Sequence, residues 1–264
     1  MDKINELTKK QKDEDRLFEA KVTDKIKQAQ ARNGFSNTDF LDLAKQEDAK
    51  KIIIHRKLNN CELFGGFDDA ERKILFVFPE NDYIDKNNYY NQIMSVIKIK
   101  LPKELYNEYQ HKNYLGALIK LGIKREKIGD IIVRNDGADI IISKEIEKFL
   151  LLNLKDLTRF KKAEIQSSTI DNLELVEKPK ELFKINVASM RLDCIVGELA
   201  RCSRNDALDL IKQERVFVNF KEELSQGKQI KENTFITIRG KGRFKILNVL
   251  GNTRSGRLTV EVEK

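Results

Sequence analysis

Arginines set at short intervals in the last third of this chain are the residues best suited to do chemistry, and that chemistry is the holding of phosphate. Arg191-Leu192-Asp193 is followed by Ser203-Arg204, by Val216-Phe217-Val218-Asn219 and by Arg239-Gly240-Lys241-Gly242-Arg243-Phe244. In a strand, successive side chains point to opposite faces, so Arg239, Lys241, Arg243 and Lys245 would project together. Gly240 and Gly242 between them let a phosphate backbone approach main-chain amides. An edge strand guarded by positive charge would show the same alternation. It would not explain why Arg201 and Arg204 flank the junction of two short helices. The loop Asn252 to Arg257 adds Arg254 and Arg257.

The elements that must position these groups can be read from the apolar spacing. Leu192, Ile195, Val196 and Leu199 mark one side of an amphipathic helix over 191–201. Ser203, with Asp206 three places on, reads as the cap of a second helix that buries Ala207, Leu208, Leu210 and Ile211. Ser203 is thus a structural cap and not a nucleophile. Val216, Val218, Phe235, Ile236 and Ile238 supply short strands, and Leu258, Val260 and Val262 finish the sheet.

Composition narrows the chemistry further. Two histidines, His55 and His111, and three scattered cysteines, Cys61, Cys194 and Cys202, leave little for a His-centred catalytic site, a zinc site or a disulfide framework. The net charge is +8 over 264 residues. Residues 186–264 hold 15 Lys plus Arg against 10 Asp plus Glu, an excess that points to a polyanionic partner. No apolar run is long enough to span a bilayer, and the charged start Met1-Asp2-Lys3 is unlike a signal peptide, so the expected location is the cytoplasm.

The chain divides into three parts, and its expected class is α+β. Residues 1–60 read as a helical region, with Leu17, Phe18, Val22, Ile26 and Ala29 at helical spacings, Asn33-Gly34 as a stop, and a second helix starting near Ser36 with Asp39 as its capping partner. Residues 61–180 begin with strands at 62–67 and 74–78. They continue as strand 95–100, helix 105–121, a hairpin of 130–134 with 138–142 across Asn135-Asp136-Gly137, helix 144–153 and strand 157–164. The order βαββαβ is ferredoxin-like, the arrangement of the RNA-recognition motif. That motif stacks bases on strand aromatics, whereas Ile131, Ile132, Val133, Ile140, Ile141 and Ile142 stand here. A docking or spacer role through helices and loops is expected instead. Lys124-Arg125-Glu126-Lys127 and Lys161-Lys162 could meet phosphate or simply form a solvated face. A polar stretch over 165–185 links to residues 181–264, the basic module.

Residues 186–264, through the motifs quoted above, resemble the S-four RNA-binding domain, also called the alpha-L motif. The resemblance implies RNA contact by Arg191, Arg201, Ser203, Arg204, Lys212, Asn219, Arg239, Lys241 and Arg243. Gly65-Gly66-Phe67-Asp68-Asp69-Ala70-Glu71-Arg72 and the run from Tyr114 to Asp130 extend the likeness, so that nearly the whole chain is similar to the YlmH family of bacterial proteins. Leu43 stands where that family's pattern has a Pro after Asp42. The family resemblance implies binding to ribosomal RNA on the large subunit carrying peptidyl-tRNA, and a part in quality control of stalled nascent chains. RNA pseudouridine synthases often carry an S-four domain too, and Arg191-Leu192-Asp193 imitates part of their Asp motif. Here that motif opens the small module and the 185 residues before it hold no convincing equivalent of the synthase domain, so Asp193 is expected to be a charge partner that orients a neighbouring arginine or caps a helix. The expectation is a monomeric RNA-binding protein without catalysis, cofactor, metal or membrane contact. The alternatives are an RNA-modifying enzyme, or a binder of another structured RNA away from the ribosome.

Overall fold

Alternating burial of Ser36, Thr38 and Phe40 makes a strand of a segment whose Ser-x-x-Asp spacing suggests a helix start. In the computed structural model, which describes residues 2–80, 84–175 and 181–264 with side chains from Asp13 onward, helix α1 (Asp2–Arg32) is followed by strand β1 (Ser36–Leu41). The expected second helix begins later, as α2 (Leu43–His55), and Asp42 caps it by accepting from the Lys45 amide at 2.9 Å. Leu43 therefore occupies the first helical position, where proline is favoured but not required. The Thr38 hydroxyl accepts from the Leu75 amide across the sheet, a bond that a capping geometry would forgo.

The chain forms two compact units, one over Thr8–Glu177 and one comprising the chain from 178 onward with the residues up to Leu7. In the first unit β1, β2 (Cys61–Phe64) and β3 (Lys73–Val77) form an antiparallel sheet of order β1-β3-β2. Its two faces serve two cores. Leu41, Leu75 and Val77 pack with Val22, Ile26, Ala49 and Ile52 of α1 and α2. Phe40, Ile74 and Phe76 turn the other way, toward Tyr89 and Tyr90 of α3 (Lys86–Ile93).

The second sheet of this unit joins β4 (Met94–Lys100), β5 (Ile128–Arg134), β6 (Gly137–Ser143) and β7 (Glu164–Ser168) in the order β5-β6-β4-β7, all antiparallel. With α4 (His111–Lys120) after β4 and α5 (Glu147–Asn153) after β6, this is the ferredoxin-like βαββαβ arrangement. Two boundaries differ from the sequence reading. The α4 helix starts at His111, after a 3-10 turn over Lys103–Leu105 and a left-handed Asn107. The last strand starts at Glu164, because 158–160 is a 3-10 turn that buries Phe160 against Tyr114.

Ile97, Ile99, Ile140 and Ile142 face α4 and α5, while Val96 and Ile141 of the same strands face Phe40, Phe76, Tyr89 and Tyr90. Every residue of β6 is buried. Both faces of the ferredoxin-like sheet are thus covered, one by its own helices and one by the sheet formed from β1, β2 and β3.

A guanidinium fastens this cover. Arg72 donates to the carbonyls of Ile128 at 2.8 Å, Phe40 at 2.9 Å and Arg125 at 3.3 Å, and Asp130 accepts from the amides of Glu71 and Arg72. Arg72→Met removes three hydrogen bonds, although the Ile128 carbonyl keeps Arg125 as a donor and the Arg125 carbonyl keeps the Ile128 amide; at about 1 kcal/mol net per hydrogen bond, a loss of roughly 2–3 kcal/mol is expected. A urea unfolding midpoint unchanged from the parent would contradict this role.

In the other unit, β8 (Leu182–Val187), α6 (Leu192–Ala200), α7 (Arg204–Lys212), β9 (Val216–Val218), β10 (Lys221–Glu222), β11 (Thr234–Ile238), β12 (Gly242–Asn252) and β13 (Leu258–Glu263) follow in order. The strands make one antiparallel sheet, β10-β9-β11-β12-β13-β8. Leu192, Ile195, Val196, Ala207 and Ile211 of the helices pack on Val216, Ile236, Ile238, Phe244, Ile246 and Val260. The chain is therefore α+β throughout, with helices on one face of this sheet.

Candidate nucleic-acid interface

The junction of α6 and α7 is built around one buried carboxylate. Asp193 is fully buried, in the first turn of α6, where a negative charge is favoured by the helix amides. Its Oδ1 accepts from Arg191 Nε at 3.0 Å and its Oδ2 from Arg191 at 3.1 Å. Two nitrogens of Arg204, at 3.0 and 2.7 Å, also converge on Oδ2. Burial alone would raise the carboxyl, but the hydrogen bonds and charges of the two arginines outweigh it and bring it down to about 2. Its charge contributes stability that is complete above the ordinary carboxyl value and is lost only as the pH falls through about 2. The two arginine side chains remain 40% and 62% exposed. One fixed anion thus aims two cations outward, and each keeps N–H groups for a phosphate.

Ser203 caps α7 as expected, accepting from the Asp206 amide while Asp206 bonds back to the Ser203 amide. Its hydroxyl also donates to Asp206 at 2.7 Å, which occupies the group structurally. Arg201, just past α6, adopts φ +52°, a left-handed conformation that glycine fills more easily. The exposed Arg201 side chain makes no ion pair among the described residues. Lys241 lies near this junction: burial, then Asp206, push the Cys202 thiol up, and the Lys241 charge pulls it back.

The four cations of Arg239 to Lys245 do not project from one strand. Ile238 pairs with Gly242, so Arg239, Gly240 and Lys241 form a tight hairpin loop, with Gly240 at φ +84°. Only Arg243 and Lys245 share the outer face of β12. Arg239 instead lies over the Phe217 ring, 4.8 Å from its centroid, and Arg215 braces the loop by donating to the Arg239 carbonyl at 3.0 Å. Asn219 sits in the left-handed turn after β9, and its side-chain oxygen accepts from the Phe235 amide. Lys212 is exposed in the last turn of α7, 3.9 Å from Asp209.

The residues expected to bind therefore fall into groups. Arg191, Arg201, Ser203, Arg204 and Lys241 gather at the helix junction, Arg239 and Arg243 lie toward the sheet's outer face, and Lys212 and Asn219 stand apart. Arg215 and the rings under the cations were missed. Their signal was the Phe residues at outward positions between buried Val216 and Val218 and between Thr234 and Ile236.

Residues 87–172 match the family model described as "Putative RNA-binding domain in YlmH". The middle of this chain is similar to that domain. The likeness extends outward from it. "Ribosome-associated protein quality control protein P2" of Bacillus subtilis (strain 168) is 28% identical over 233 residues, which cover 86% of this chain and 86% of that protein. The resemblance to YlmH proteins that the motifs suggested is thereby shown. The solved "Cell division protein ylmH from Streptococcus pneumoniae" superposes with a TM-score of 0.49 at 20% identity, over 61% of this chain and 95% of the other.

The matched domain has its sheet closed on both faces, so its base-stacking surface of the RNA-recognition type is filled by Phe40, Phe76 and Tyr90. Among the described residues no cluster of His, Cys, Asp or Glu could hold a metal, and no helix is long and apolar enough to cross a membrane.

Proposed function

We propose that this chain is an RNA-binding protein of the translation machinery, without catalytic activity of its own. It docks on the large ribosomal subunit, with peptidyl-tRNA, in the quality control of stalled nascent chains. The unit from 181 onward acts as an S-four domain and grips ribosomal RNA. The region up to 60 and the domain over 61–180 reach a second partner such as the tRNA. The protein works in the cytoplasm as a monomer and needs no cofactor.

The observation that carries this reading is the pair of guanidiniums held by buried Asp193. A relative named for ribosome-associated quality control supports the ribosome as the place. The enzyme alternative is weakened by the same geometry. A carboxylate with no exposure, held by two arginines, is not placed to meet a nucleobase as a synthase Asp would.

Sedimentation with purified large subunits across a salt series tests the proposal. With about four to six phosphates neutralised, log affinity is expected to fall against log salt with a slope of about 4 to 5. A flat response, or pelleting no better than without subunits, would contradict it. Equal binding to unrelated folded RNA would instead favour a general binder.

A further inference from the structure

The sheet of the C-terminal unit has a second face, opposite the helices, with a pattern of its own. Phe217 on β9, Thr237 on β11 and Arg243 on β12 are cross-strand partners, and Phe235 is the partner of Lys245. Because Val216, Val218, Ile236, Phe244 and Ile246 all point into the core, this row points away from it. Phe220, in the turn after β9, leans on Phe235 with ring centroids 5.0 Å apart. A cation lies over each ring: Arg239 over Phe217 at 4.8 Å, Arg243 over Phe220 at 5.5 Å, and Lys245 over Phe235 at 5.6 Å. All three rings keep partial exposure. Glu222 stands opposite Phe217 and Glu263 opposite Lys245, so the face is mixed in charge and not a plain cationic surface.

Three aromatic rings in partial contact with water, on a sheet far from needing them for its core, lose hydrophobic stabilisation where they stand. Their use lies in what can stack there. Bases stack on aromatic rings and on guanidinium planes, at about 1–3 kcal/mol per base, while cations beside them meet the phosphates. Arg239 to Lys241 turn the corner from the helix junction to this face, so one strand of nucleic acid could follow both.

We propose, resting on the RNA-binding function above, that the outer face formed by Phe217, Phe220 and Phe235 with Arg239, Arg243 and Lys245 is a stacking platform for unpaired bases of the bound RNA. The helix junction holds phosphates of the structured part. The sheet face holds nucleotides that leave the helix.

The test uses the intact chain and two fluorescent RNAs, a hairpin with a loop carrying 2-aminopurine and a fully paired duplex of the same stem. The platform predicts tighter binding of the hairpin and quenching of 2-aminopurine on binding. Phe217→Leu with Phe235→Leu is expected to remove the quenching and weaken hairpin binding about tenfold or more, with the salt slope unchanged. Phe217→Tyr with Phe235→Tyr keeps the rings and should retain both signals, which separates loss of stacking from loss of fold. Unquenched 2-aminopurine in the parent complex, or equal quenching in the Leu variant, overturns the platform. If binding of both RNAs also survives loss of the junction arginines, the RNA-binding function fails with it. If only the junction variants weaken binding, that function stands and the platform alone is lost.

Discussion

Arg201→Gly combined with Arg204→Gln is expected to weaken binding to large ribosomal subunits about a hundredfold while leaving stability close to the parent's. Each arginine can supply a charge-assisted contact of about 1.5 kcal/mol, and two together amount to roughly a hundredfold. The stability terms oppose each other. Glycine at position 201 relieves a left-handed conformation, φ +52°, and gains roughly 0.5–1 kcal/mol. Gln at 204 removes one partner of Asp193, but the Arg204 side chain is 62% exposed and Arg191 remains, so about 1 kcal/mol is lost. Binding and folding should therefore part company. The contrasting pair, Arg191→Gln with Arg204→Gln, leaves a buried carboxylate alone and is expected to cost about 3–5 kcal/mol. Parallel thermal melts and sedimentation read both quantities; an unchanged affinity in the first variant would remove the junction from the binding surface.

Gly137→Ala is expected to be the most damaging small substitution in the middle domain. A Cβ at this position would stand 1.9 Å from the Ile99 carbonyl oxygen and 2.9 Å from its carbon, both of them backbone atoms of the paired strand. Neither can move without opening the pairing of β4 with β6, where Lys100 faces Gly137. The neighbouring turn is tied down as well, since the Asp136 and Asn135 carbonyls accept from the amides of Leu101 and Asn107. Steric insertion against fixed backbone belongs with the severe substitutions, about 4 kcal/mol or more. For a unit of this size, the melting temperature is expected to fall by roughly 10 °C. A melt within two or three degrees of the parent, approximately the effect of one kcal/mol, would show that the strands yield there.

Local chemistry was legible in the sequence and long-range pairing was not. Ser203 with Asp206, the hairpin around Asn135-Asp136, and the apolar sides of α6 and α7 are each determined within a few residues. Ser36 with Asp39 carries the same capping signature as Ser203 with Asp206. It became a strand because β3, more than thirty residues away, offers Ile74, Phe76 and a partner for Thr38. The basic run from Arg239 has a strand's alternation, but Gly240 and Gly242, at φ +84° and +123°, bend it into a hairpin loop. The aromatic test of the middle sheet could read only the strands themselves. Its strands lack stacking residues, and Phe40, Phe76 and Tyr90 from outside the motif fill the place where bases would lie. At the candidate interface, the arginines were visible as a motif. The role of Asp193 as their common anchor needed the fold, which brings Arg204, eleven residues on, to the same carboxylate as Arg191.

The central claim is that RNA is held by the unit after residue 180 and not by the sheet of the domain over 87–172. Ultraviolet cross-linking of the intact protein to large ribosomal subunits, followed by mass spectrometry of the RNA-bearing peptides, measures this directly. Adducts are predicted on peptides spanning Arg191 to Arg204 and Arg239 to Lys245. Adducts confined to residues 87–172, with none in those two stretches, would contradict the account.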